Sequence, residues 1–133
     1  MKTYAVSYVT TLIVFVCIDF IWLSVMAGVL YKPAMGDMLA SQFRLSPAII
    51  FYLIYAAGLV FLAVRPGLEA GSPWTACLYG AIVGFMAYAT YDLTSHAVLK
   101  NWTVMLTVAD LAWGTFLSAV AATAGYSISR YLT

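Results

Sequence analysis

A chain of 133 residues that is 65% hydrophobic and only 8% charged departs strongly from soluble domains, which are about 25% charged and 45–50% apolar. Its formal net charge of +1 and the lack of any basic run exclude nucleic acid as a partner on electrostatic grounds. The composition fits an all-α integral membrane protein, a single domain over residues 1–133.

A crossing helix needs about 20 predominantly apolar residues, and the first such segment runs from about Tyr4 to Leu30. Lys2, the apolar run and Val25-Met26-Ala27 also have the outline of a signal peptide. A single charge in the n-region and the interruption at Asp19 favour a retained helix instead. Met35 to Arg44 mixes apolar and polar residues and is expected to lie at the interface as a short amphipathic turn. The second span is expected over 47–64. Ser46 caps it ahead of a proline at the first helical position, and Arg65-Pro66-Gly67 closes it. Ser72 caps a third span over 73–98, and Asn101 caps a fourth over 102–128.

Four spans make a four-helix bundle with both termini on one side. That side carries Lys2, Arg65 and Arg130, and the other carries Lys32, Arg44 and Lys100. The positive-inside rule compares such residues, and here it gives no direction. Trp74 and Trp102, at span ends, read as interfacial anchors alongside Tyr4, Tyr31 and Tyr131. Cys17 and Cys77 read as small buried hydrophobes. No nucleotide loop, CxxC or haem-type histidine pair is present, so no cofactor is expected. The lone His96, expected near the headgroups, is too little for a metal site, since zinc wants further nitrogen or sulfur ligands.

Against this background three acids stand out. Asp19, Asp92 and Asp110 are three of the five acidic residues, and each lies inside an apolar span. A carboxylate there costs about 2.5–3.5 kcal/mol on insertion scales and by default marks a functional interior. With 1.5 Å of rise per residue, Asp92 and Asp110 lie roughly 12 Å from the face bearing Lys32, Arg44 and Lys100. Tyr52, Tyr55, Tyr88, Tyr91, Trp22, Trp113 and Thr107 fall at similar depth, with Thr94 and His96 shallower. The opposite half reads as mainly Val, Ile, Leu, Ala and Gly.

Helical spacing brings these residues onto common faces: Tyr88, Tyr91, Asp92 and Ser95 on the third span, and Thr107 and Asp110 on the fourth. Small residues at Ala76, Gly80 and Gly84, and at Gly114, Ser118 and Ala122, allow close helix approach. Asp19, Asp92 and Asp110 are therefore the candidate catalytic groups. Trp22, Tyr52, Tyr55, Tyr88, Tyr91, Thr94, Thr107 and Trp113 are the candidate ligand-binding residues. The repeat Asp19-Phe20-Ile21-Trp22 and Asp110-Leu111-Ala112-Trp113 relates antiparallel helices and hints at the inverted pseudo-symmetry of transporters.

Ile18-Asp19-Phe20-Ile21-Trp22-Leu23, Tyr88-Ala89-Thr90-Tyr91-Asp92-Leu93-Thr94 and Asp110-Leu111-Ala112-Trp113-Gly114-Thr115 resemble the hallmark segments of a bacterial membrane-protein family catalogued as domain of unknown function 2177. The resemblance covers essentially the whole chain. It implies a four-helix, multi-pass protein of the bacterial inner membrane and brings no activity with it.

Three function classes fit the residues. In the first, an intramembrane pocket binds or modifies a small hydrophobic molecule, lipid or isoprenoid-like. Aromatic faces there stabilise a cation, and a buried carboxyl acts as an acid. In the second, the chain is a proton- or cation-coupled small-molecule transporter working as a homodimer, similar in size and helix number to the small multidrug exporters. In the third, it is an accessory subunit of a membrane complex whose aspartates fix helix register. Membrane lipid is the expected partner throughout. Whether bonds are made or broken stays open, and the hydrophobic-ligand pocket is the leading expectation.

Overall fold

A computed structural model describes residues 2–26, 45–100 and 102–132. Helix α1 spans Lys2–Met26 and α2 spans Leu45–Leu59. A π-helical turn at Val60–Val64 leads into α3, Arg65–Ala70. Then come α4, Pro73–Val98, and α5, Val104–Leu132. With α2, the π turn and α3 read as one span, four helices are long and apolar enough to cross a membrane. Among the described residues there is no strand.

The bundle keeps its polar side chains among an apolar core and turns large apolar ones outward, as a bilayer demands. The buried residues of α1 are Ser7, Thr11, Phe15 and Asp19, every fourth position, while Phe20, Ile54, Phe61, Met86, Val108 and Phe116 point outward and are exposed. In water this surface would be an aggregation site; in lipid it is the solvated face. Close approach replaces hydrophobic expulsion as the source of cohesion. A Cβ on Gly80 would lie 2.8 Å from the Ala122 Cβ, and one on Gly84 would lie 2.6 Å from the Gly114 carbonyl, so α4 and α5 pack backbone to backbone. At the other seam of α5, Ser7 and Ser129 hydroxyls hydrogen-bond across to α1, and Thr11 lies against Gly125. The second span closes the bundle through Tyr55 and Leu59, packed with Phe15, Leu117 and Ala121, and through Ala63 and Val64 against Ala76, Ala122 and Tyr126.

Several local readings are corrected by the structure. The second span does not stop at Arg65-Pro66-Gly67. Pro66 has no N–H to offer and its ring crowds the carbonyl four residues back. The chain meets this with the π turn, in which the Arg65 N–H bonds the Val60 carbonyl five residues earlier, widening the ladder at the proline. The helix then runs on to Ala70 and ends at Gly71, whose φ of +66° suits a glycine cap. Ser46 lies within α2, because Leu45 is already helical. Ser72 precedes Pro73 in extended conformation but makes no side-chain cap bond. Cys17 is exposed and Cys77 is half-buried, so neither is a core residue. Trp74 is 78% exposed, as an anchor would be, whereas Trp102 is only 6% exposed. Residues 27–30 of the first expected span, the segment Met35 to Arg44, Tyr31, Lys32 and the expected cap Asn101 lie outside the described residues.

Thr103 provides the α5 cap, its Oγ1 accepting the Leu106 N–H at 3.1 Å. Thr103→Ala is expected to cost about 1 kcal/mol. A lowered unfolding midpoint and faster amide exchange in the first turn of α5 would report it.

Candidate functional site

Asp19 is held by two neighbouring spans. Tyr52 Oη donates to its Oδ2 at 2.7 Å, and Trp113 Nε1 donates to its Oδ1 at 3.2 Å. The Trp113 ring stacks on Trp22 with centroids 4.3 Å apart and planes 9° from parallel. The repeated Asp-x-x-Trp pattern thus becomes a contact: the two tryptophans stack, and the second one donates to the first one's aspartate.

Asp92 presents the opposite situation. Its relative exposure is 0%, and neither carboxylate oxygen has a hydrogen-bond donor. Its close neighbour is the carboxyl of Asp110, near enough for a hydrogen bond if one of the two carries the proton. Asp110 is also buried. Tyr88, one turn before Asp92, lays its ring on Gly114, one turn after Asp110. From there it is within electrostatic reach of Asp19, Asp110, Tyr52 and Tyr55, and Asp19 is within reach of Asp110. Tyr55 shares a 2.7 Å hydrogen bond with Ser118 and packs edge-on against Phe15 at 5.2 Å and Tyr88 at 6.4 Å. All three aspartates therefore belong to one buried network fed by every span.

A second polar group sits beside it. Trp102 Nε1 donates to Thr107 Oγ1 at 2.9 Å, and Thr107 Oγ1 also pairs with His96 Nδ1 at 3.1 Å. Trp102 is thus a buried partner of Thr107, not an exposed anchor, and the half-buried His96 shares the same hydroxyl. Tyr91 touches Trp102 edge-on at 5.7 Å but is 56% exposed. Thr94 stands apart from the network: it is exposed, and its hydroxyl donates to the carbonyls of Thr90 and Tyr91.

The half of the bundle read as mainly Val, Ile, Leu, Ala and Gly also contains the buried hydroxyls of Ser7, Thr11, Ser118 and Ser129. Their signal was the four-residue spacing of Ser7 and Thr11 with Asp19, and the place of Ser118 in the small-residue row after Gly114. Among the described residues, no three His, Cys, Asp or Glu side chains converge as a metal site. A groove of about 550 Å³ lies away from the acids, lined by Tyr4, Tyr8, Ala57, Val60, Phe61, Arg65 and Glu69.

Over residues 4–127 the chain matches the family described as predicted membrane protein (DUF2177), and it belongs to that family. No curated protein matches it, and no solved structure does.

Proposed function

We propose that this DUF2177 member is a multi-pass protein of the bacterial inner membrane that holds the head of a small hydrophobic molecule, lipid or isoprenoid-like, at the buried acids. The meeting of α1 and α5 at Ser7 and Ser129 supports a disposition with both termini on one side. One observation carries the reading. An aspartate kept only to fix register needs a donor; Asp19 has two, and the fully buried Asp92 has none. A buried polar group left so demands an explanation beyond packing, and an intramembrane acid is a functional residue by default. Tyr52 and Trp113 at Asp19, Trp22 stacked on Trp113, and Tyr55 packed on Tyr88 supply aromatic surface in the same network, suited to an isoprenoid chain or a cationic head.

The same acid pair supports a second reading, proton- or cation-coupled transport by a homodimer, in which the cargo and a proton compete for Asp92 and Asp110.

Asn keeps the size and hydrogen bonding of Asp while abolishing titration. The Asp92→Asn and Asp110→Asn proteins are expected to insert and fold in normal yield yet fail to complement a chromosomal deletion, with Asp92→Asn the most severe. Full complementation by Asn at 19, 92 and 110 would leave a structural role only.

A further inference from the structure

We propose that the groove between α1 and the second span holds one phospholipid whose headgroup carries both a phosphate and a primary ammonium, the phosphate on Arg65 and the ammonium on Glu69. This site is separate from the buried acids and does not rest on the reading above: Asp19 lies roughly 22 Å further along α1 than Tyr4 in the groove wall, at 1.5 Å per residue. The groove's volume of about 550 Å³ falls within the roughly 300–1,000 Å³ of small-molecule sites. Along its second-span wall, Ala57, Phe61, Arg65 and Glu69 recur at every fourth position. In an unbroken α-helix of about 3.6 residues per turn, a row spaced by four winds around the axis. The π turn at Val60–Val64 holds more residues per turn and takes up that drift, so the row lines one groove.

The row is apolar at its deep end and charged at its rim, as a phospholipid is. From Ala57 to Glu69 it covers roughly 18 Å of helix axis, against roughly 15 Å for half of a bilayer's hydrocarbon core. The rim lies near the span end, a few residues before the exposed Trp74. Tyr8 fixes the opposite wall, its hydroxyl donating to the Leu53 carbonyl at 3.1 Å. Arg65 rests its guanidinium over the Phe61 ring, 4.9 Å from the centroid, with its donor fork free to meet a phosphate. Its approach to Glu69 is long, 3.8 Å, between side chains 42% and 65% exposed. Such exposed pairs are worth little, so a headgroup that satisfies both charges can part them. A purely anionic headgroup on Arg65 would instead stand against the Glu69 carboxylate, and a quaternary ammonium has no N–H to donate to it.

Native mass spectrometry of the full chain, released from nanodiscs of equal phosphatidylethanolamine, phosphatidylcholine and phosphatidylglycerol with identical acyl chains, tests this. The wild type is expected to retain phosphatidylethanolamine a few-fold over the other two, the scale of one exposed ion pair. Glu69→Gln should erase that preference, and Arg65→Gln should lower retention of all three. Ala57→Phe, at an exposed position in the groove wall, should lower it by filling the space of the chain. Asp92→Asn should keep the preference, which separates this site from the acids. Equal retention of the three lipids by the wild type, a preference unchanged in Glu69→Gln or in Ala57→Phe, or one lost in Asp92→Asn would overturn the assignment. Should Ala57→Phe fail to fold, the wild type, Asp92→Asn and the exposed Glu69→Gln decide it.

Discussion

Gly114→Ala is expected to be among the most damaging single substitutions in this protein, lowering stability by about 1–3 kcal/mol or more through overpacking. The new methyl would fall on the Tyr88 ring, closer to its Cγ and Cδ atoms than any real contact allows. The ring has little freedom to retreat, with Tyr55 packed against it and the α4–α5 seam sealed by Gly84 and Ser118 below. Thermal unfolding in detergent measures the loss. Gly58→Ala is the matched control, because nothing lies within 4 Å of the added methyl; alanine's better helix propensity, about 1 kcal/mol, should leave that variant unharmed or slightly more stable. A Tyr88→Ala/Gly114→Ala double variant should lose less than the sum of its parts, since contacting residues couple. Additive losses would show that the Tyr88 ring does not rest on Gly114.

Asp19→Leu is the second large effect. Leucine keeps the branched shape, with bulkier methyls in place of the oxygens, but strands the Tyr52 hydroxyl and the Trp113 N–H, at about 1–3 kcal/mol for each unsatisfied donor. Hydrogen bonds between membrane helices average about 0.6 kcal/mol because freed groups find other partners, so the lower end of that range is expected if Tyr52 swings away. Adding Tyr52→Phe should recover that residue's share. The near-ultraviolet circular dichroism of the Trp22–Trp113 stack should fall in Asp19→Leu and stay close to wild type in Tyr52→Phe alone. An unchanged spectrum in Asp19→Leu would show that the stack forms without its acceptor.

Much of this site was legible in the sequence because insertion into lipid makes polar residues costly, so those that remain announce themselves. Asp19, Asp92, Asp110, Tyr52, Tyr55, Tyr88, Trp22 and Trp113 share a depth that could be counted from the span ends. What counting cannot give is the rotation of each helix about its axis. Successive residues are about 100° apart, so a modest rotation of the helix decides which edge of the shared Tyr88–Ser95 face is buried; Asp92 is, and Tyr91 is left exposed. Thr94, two residues beyond Asp92, is carried to the opposite side and bonds its own backbone. Tyr88, four residues before Asp92, returns to the same face. Trp102 was misread because an indole at a span end suits a headgroup as well as an interior, and only the partner Thr107 distinguishes them. The continuation past Pro66 was hidden for a related reason. Proline forbids the α-helical ladder, but a single π turn restores the chain's course at the expense of one irregular turn.

The central claim is that the buried acids serve a bound molecule and not the fold alone. Quantitative mass spectrometry of the lipids that co-purify with wild type, Asp92→Asn and Asp19→Asn tests it most directly, with bulk membrane extracted in parallel. One hydrophobic species enriched over bulk in the wild type, and reduced to the bulk level in folded Asp92→Asn, is the expected result. A wild-type profile that matches bulk membrane, or an enrichment retained in full by Asp92→Asn, would contradict it.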